Sequence, residues 1–445
     1  MSDVRLLKGF YMDFRGDWDD YSSKFRRFTA RPGVRLLLEN FASLSAVQLL
    51  SYLLPLVATP YLTRALGAER FGLTASAISF AGLFAYLTNY GFGTTATRQI
   101  SVHRNNLRYI SEISSAILII KGALLLFSFC LFLFIIAFAP NLRLEAGLYL
   151  LIFGVTAGDT LYPQWLFQGL EKMKLISVLN AIGKAITFLL IILLISQPKD
   201  YLLYAATLSS SQIAVGLIGI WAAWRTGIRF IAPDWNAITA QIHEGWLPFL
   251  STLSIGFYTQ SRLFIFSFFS TNTLLGYYAF ADKAAGIAQV FPISALITAV
   301  LPRLTFMYSQ NPERARKLFG QLYRITFLYL IVVFPILALF ANEIIYLLSG
   351  HNYPESVISF RILLVGVFFA LANAFRVYLL VAAGRFRTFT FVHAIGSVAG
   401  FSMMMILTYH LSYLGMAISA AFTEAFIFAL TSWKMRTEFP PLSNK

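Results

Sequence analysis

The sequence predicts an all-α polytopic membrane protein of about twelve transmembrane helices, arranged as two six-helix lobes related by a parallel repeat. Three observations predict it. The 445-residue chain is 58% hydrophobic and only 12% charged, against about 25% charged in an ordinary soluble domain. Apolar runs long enough to cross a bilayer recur along its length, since about 20 helical residues at roughly 1.5 Å each span the ~30 Å hydrocarbon core. None alternates with the period of two that a membrane barrel strand requires. Finally, a pattern of small residues in the second run returns in the eighth.

In chain order, residues 1–40 mix eight cations with acidic residues and lack the apolar core of a secretory signal. They read as a cytoplasmic tail, with Phe10, Tyr11, Phe14, Trp18, Phe25 and Phe28 suited to lipid headgroups beside the basic residues. The spans fall at roughly 41–63, 71–93, 110–138, 144–167, 174–196, 201–224, 246–269, 274–301, 322–341, 355–381, 387–409 and 412–433. This divides the chain into a first lobe (41–224), a polar linker (225–245), a second lobe (246–434) and a short tail (435–445). Pro163 is expected to interrupt the fourth span by breaking its hydrogen-bond ladder. Pro55, Pro60, Pro248, Pro292 and Pro302 read as packing kinks, and Tyr277 and Tyr278 as members of the aromatic belt.

Loop charge orients the spans. With the N-terminus cytoplasmic, 25 of the 35 Lys and Arg fall in cytoplasmic segments, four (Arg64, Arg70, Arg143, Lys199) in opposite loops and six inside spans. The positive-inside rule then places both termini in the cytoplasm. The formal net charge of +15 therefore belongs to topology and anionic lipid, not to nucleic acid. The opposite loops are all short and leave no room for a soluble catalytic domain. Cys130 stands alone, and the five His are scattered without metal-ligand spacing, so no metal or other cofactor is expected.

The repeat pairs RFGLTASAISFAG (70–82) with LLGYYAFADKAAG (274–286), matching Gly72 with Gly276, Ala75 with Ala279, Ala77 with Ala281, Ala81 with Ala285 and Gly82 with Gly286. The matched glycines read as places where helices approach closely. Parallel six-helix repeats with a site between them are a secondary-transporter plan.

Charges inside the spans point to that site. The eighth span carries Asp282 and Lys283; nine residues at about 1.5 Å each put Lys283 some 13 Å below Leu274, near the bilayer midplane. A charge there costs on the order of 3 kcal/mol and is tolerated facing protein or a water-filled cavity. The other intramembrane cations are Lys121, Lys184, Arg262, Arg361 and Arg376; the acids are Asp159, Asp282 and Glu424. Lys184 and Lys283 are too deep to snorkel readily, whereas Arg361 and Arg376 can serve either a cavity or the interface. Asp282 and Arg262 can pair. Six cations against three acids leave surplus positive charge for a mobile anion, and phosphate or diphosphate suits Arg forks and Lys ammonium groups. Asp159, Asp282 and Glu424 are the candidate ion-coupling groups, because burial of a carboxyl group favours its protonated form.

Three stretches resemble the polysaccharide transporter family of O-antigen flippases, within the multidrug/oligosaccharidyl-lipid/polysaccharide exporter superfamily. YLTRALGAERFG (61–72) is similar to that family's first turn, TNYGFGTTATRQIS (88–101) to its tyrosine-glycine-phenylalanine and alanine-threonine-arginine pattern, and PQWLFQGLEKMK (163–174) to its FQG and EKM segment. The resemblance implies alternating access of two lobes around a cationic cavity. The implied substrate is an undecaprenyl-diphosphate-linked oligosaccharide moved across the bacterial inner membrane, with membrane lipids and polysaccharide polymerase machinery as neighbours. Arg98, Lys184 and Lys283 are carried over as diphosphate contacts, joined by Arg262, Arg376 and Lys121, with H+ or Na+ as the coupling ion. A multidrug exporter of the same superfamily would want an acidic or neutral cavity, and a glycan polymerase or ligase a large external loop.

Overall fold

The computed structural model of the chain describes residues 32–289, 312–383 and 385–438. Residues 1–53 and 54–445 form two compact units. The described part of the first, 32–53, is helical; the second holds every feature below. The tail aromatics, Pro292, Pro302 and the second half of the eighth span lie outside the described residues.

Fourteen helices run through the described residues: α1 (Pro32–Asn89), α2 (Phe92–Val102), α3 (Leu107–Phe138), α4 (Pro140–Leu144), α5 (Ala146–Leu161), α6 (Gln164–Gly169), α7 (Met173–Leu194), α8 (Tyr201–Arg225), α9 (Trp235–Phe266), α10 (272–289), α11 (Pro312–Leu339), α12 (Ala341–Ser349), α13 (Pro354–Ala382) and α14 (Phe386–Glu438). Gly67 (φ 69°, ψ 170°) breaks α1 into two crossings. Ser412 (φ 51°) does the same to α14. Counting each break, α1, α3, α5, α7, α8, α9, α10, α11, α13 and α14 supply twelve helical segments, each over one of the expected spans, and seven helices among the described residues are long and apolar enough to cross a membrane. The fourth crossing stops at Leu161, and Tyr162–Pro163 separate it from α6. This is the interruption that a proline without an N–H predicts.

Turns therefore alternate between two faces. One, poor in cations, carries Gly67, Glu145, Gln197 and Gly350; the other, rich in cations, carries Gly91, Lys172, Gly227 and Arg385. Each lobe buries its own aliphatic and aromatic core: Phe80, Phe132, Leu148, Tyr149 and Ile152 in the first, and Phe266, Leu330, Phe360, Leu371 and Met416 in the second. The outward surface is apolar, with Leu126, Phe134, Leu193, Leu328, Val332 and Val398 all more than half exposed, as lipid in place of water allows.

The lobes meet along the second half of α1. A Cβ on Gly72 would overlap the Gly276 backbone and sit 2.7 Å from the Asn272 carbonyl oxygen, and a Cβ on Gly276 would overlap Ala68. Because 68 and 272 occupy equivalent positions in the repeat, the contact is reciprocal: each glycine faces the partner's residue four places earlier. The matched glycines of the repeat thus meet at this crossing. Around it Thr63 donates to the Leu348 carbonyl, Arg64 to that of Leu347 (3.2 Å), and Phe71 packs 5.1 Å from Phe280. These contacts close the cation-poor end between the lobes.

Candidate functional site

Two polar clusters and one pair of lysines occupy the interior. In the first lobe, α1 ends at Asn89, where Tyr90 (φ 44°) and Gly91 (φ 76°) turn the chain into α2. The Asn89 amide donates to Asp159 (2.8 Å) and its carbonyl accepts from the Lys121 ammonium (3.1 Å). Lys121 is only 2% exposed. Its charge is thus committed to Asn89 and, beyond it, Asp159, inside the lobe. Two helix breaks, at Asn89–Gly91 and Tyr162–Pro163, bracket this circuit.

In the second lobe, Arg262 of α9 forms the expected pair with Asp282 of α10 at 3.7 Å. Glu424 of α14 and the phenols of Tyr258 and Tyr278 complete its electrostatic surroundings. A cavity of about 70 Å³ lies among them, lined by Arg262, Asp282, Gly286, Gln289, Gly366 and Glu424. That is room for a few waters or a partly hydrated ion.

Lys283 follows Asp282 on α10. It is exposed, and the adjacent Asp282 carboxylate is the acid whose charge acts on it. Lys184 of α7 is half-buried and near enough for the two ammonium groups to repel each other. Residues of opposite lobes thus bring like charges near each other. Among the described residues no carboxylate makes a salt bridge with Lys283.

The remaining candidates lie apart. Arg98 is exposed on α2 at the cation-rich face. Arg376 of α13 is enclosed by rings, 4.7 Å over Tyr323 and 4.3 Å over Phe428, and donates to the Tyr323 hydroxyl (2.7 Å). Arg361 is exposed and donates to the Ala338 carbonyl (3.1 Å). Sequence reasoning missed Asn89, the bridge of the first cluster. A polar residue one position before a Tyr-Gly turn at a span end reads as interfacial, and only the neighbouring Lys121 and Asp159 make it more.

Comparison with known proteins agrees with this architecture. The profile of a family described as polysaccharide biosynthesis protein matches residues 37–308, more than half the chain. The chain belongs to the polysaccharide biosynthesis protein family. It is 27% identical over 400 residues to a "Putative O-antigen transporter" of Shigella dysenteriae, covering 87% of this chain and 97% of that one. Among solved structures it is similar to the lipid II flippase MurJ in an inward closed conformation (TM-score 0.68, 12% identity, 89% and 87% covered). It is also similar to a multidrug resistance MATE family transporter of the MOP superfamily in its inward-facing conformation (TM-score 0.67, 15% identity, 87% and 94% covered). This family member is a multi-pass membrane transporter, not an enzyme.

Proposed function

We propose that the protein is a flippase that turns an undecaprenyl-diphosphate-linked oligosaccharide of the O-antigen type across the bacterial inner membrane by alternating access, with both termini cytoplasmic. The observation that carries the reading is that Lys184 and Lys283, from opposite lobes, are near enough to act on each other as like charges, with Lys283 exposed on α10. Two like charges near each other within the spans favour an anion between them, and a diphosphate carries enough negative charge to offset both. The headgroup alone needs shelter from hydrocarbon; the prenyl chain stays in lipid. The names of the relatives support the same substrate class, and loop charge supports the orientation. On this reading the Gly72–Gly276 crossing holds the lobes together at the cation-poor end and separates when the carrier opens there.

Coupling falls to Asp282 and Glu424. They lie with Arg262 around a small cavity, where a carboxyl group can take up H+ or Na+, and membrane potential supplies about 2.3 kcal/mol per charge per 100 mV. Asp159, tied to Asn89, serves better as a structural acid. A multidrug exporter is the weaker reading, since paired lysines repel cationic drugs.

The test is Lys184→Ala with Lys283→Ala in cells lacking the native gene. The double variant should insert normally, lose surface polysaccharide and accumulate lipid-linked repeat units on the cytoplasmic leaflet. Wild-type surface polysaccharide would refute the proposal.

A further inference from the structure

The segment joining α8 to α9 carries cations that take no part in the proposed carrier site. α8 ends in Trp221, Trp224 and Arg225, and the chain then turns at Gly227 (φ 92°). The Arg225 guanidinium lies 4.9 Å over the Trp221 ring, and that of Arg229 5.3 Å over Trp224. Arg229 is held further by donating to the carbonyls of Trp224 (2.7 Å) and Ile228 (3.3 Å). Behind it the backbone is strapped to α3: the Arg229 N–H donates to Ser111 Oγ (3.2 Å) and that of Ile231 to Ser115 Oγ (3.0 Å). Ile228 turns into the core, while Arg229 and Phe230 face outward. Leu217, Trp221 and Trp224, spaced i, i+4 and i+7, form one exposed stripe along α8 (55%, 52% and 57% exposed), and Phe230 is 70% exposed.

We propose that this patch binds the phosphate headgroup of an acidic glycerophospholipid. The stripe below it is the apolar flank along which acyl chains lie, and indole rings favour headgroup depth. Arg225 and Arg229 stand at the end of that stripe, on the cation-rich face, and among the described residues neither forms a salt bridge with a carboxylate. Two charges are therefore left for an external anion. The Arg225 guanidinium, stacked on an indole, keeps its edge donors for the bidentate grip that phosphate accepts, and Arg229, whose Nη1 is held by the two carbonyls, still offers Nε and Nη2. The strapped backbone and stacked rings hold the site in place before the lipid arrives, so little ordering entropy is lost on binding. The glycerophospholipid is favoured over the transported lipid because the patch lies on an apolar outer stripe of α8, whereas the proposed carrier site is the Lys184–Lys283 pair. One consequence is that the connection between the lobes is anchored at the membrane surface.

The experiment uses the full chain in vesicles of phosphatidylcholine alone, or of three parts phosphatidylcholine to one part phosphatidylglycerol. A ligand that binds the folded state raises its thermal midpoint. Wild type should melt higher with phosphatidylglycerol, and Arg225→Gln with Arg229→Gln should lose at least half of that increment while keeping the phosphatidylcholine midpoint. An equal increment in both proteins overturns the proposal. It is also overturned if an undecaprenyl diphosphate added to phosphatidylcholine vesicles gives an Arg225- and Arg229-dependent rise that phosphatidylglycerol does not. Should the glutamine pair fail to insert, Arg225→Lys with Arg229→Lys keeps the charge and removes the planar fork. Native mass spectrometry should then show at least twofold less retained phosphatidylglycerol than wild type, and undiminished retention would count against the site. None of these readouts depends on what the Lys184–Lys283 pair binds.

Discussion

Lys121 in the first lobe and Arg262 in the second are cations set deep in helical bundles near acids, yet their surroundings differ in kind. Lys121 reaches Asp159 through the amide of Asn89, with one positive and one negative charge joined by two hydrogen bonds. Arg262 faces both Asp282 and Glu424, and a cavity remains beside them. The first cluster is closed on itself; the second gathers Arg262, two acids and the neighbouring Lys283 beside open space. A closed, well-packed circuit pins helices together, whereas one with room beside its acids can exchange an ion. Counting charges over the whole bundle hides this distinction, because the balance that matters is local.

The comparison can be broken most forcefully at Lys121. Lys121→Met leaves Asp159 in the bundle without its cation and should cost about 3–5 kcal/mol, read as a large fall in the thermal midpoint of purified protein. Adding Asp159→Asn should restore most of it. A Lys121→Met protein as stable as wild type would mean that the circuit pins nothing. In the second lobe Asp282→Asn removes Arg262's direct partner but leaves Glu424, so a smaller loss of about 1–3 kcal/mol is expected. Glu424→Gln should move stability by no more than about 1 kcal/mol, yet abolish the dependence of transport on a proton or sodium gradient. Gradient-driven transport at the wild-type rate in that variant would remove Glu424 from coupling.

The glycines offer a finer comparison between matched positions of the repeat. Gly276→Leu should strain the Ala68 contact and cost about 1–3 kcal/mol in the closed form. Gly286→Ala sets the lower end of the scale. A Cβ there meets nothing within 4 Å, so the change should stay within about 0.5 kcal/mol of wild type, measured by the same melt.

Much of this fold can be read before any coordinates. Span positions follow from hydropathy, the break at Pro163 from its missing N–H, and the pairing of Gly72 with Gly276 from the repeat, although nothing in a sequence says that equivalent residues should touch. The Arg262–Asp282 pair is also legible as two opposite charges in adjacent spans. Other features are not. Asn89 bridges its cluster only because two helix breaks carry Asn89 and Asp159 to one place. Arg376 reads as a cavity or interfacial cation, whereas Tyr323 and Phe428 enclose it. That environment is built from residues some fifty positions away on either side, on separate helices. Periodicity reports which face of a helix is apolar; it does not report which side chain of another helix arrives there.

The central claim is that the Lys184–Lys283 pair accepts a diphosphate, and direct binding tests it most simply. Purified protein in neutral-lipid nanodiscs would be titrated with undecaprenyl diphosphate carrying a short oligosaccharide, with binding followed by native mass spectrometry. Wild type should retain the lipid and the Lys184→Ala, Lys283→Ala protein should retain at least tenfold less, while Arg361→Gln, away from the pair, behaves as wild type. Equal retention by all three proteins would contradict the account.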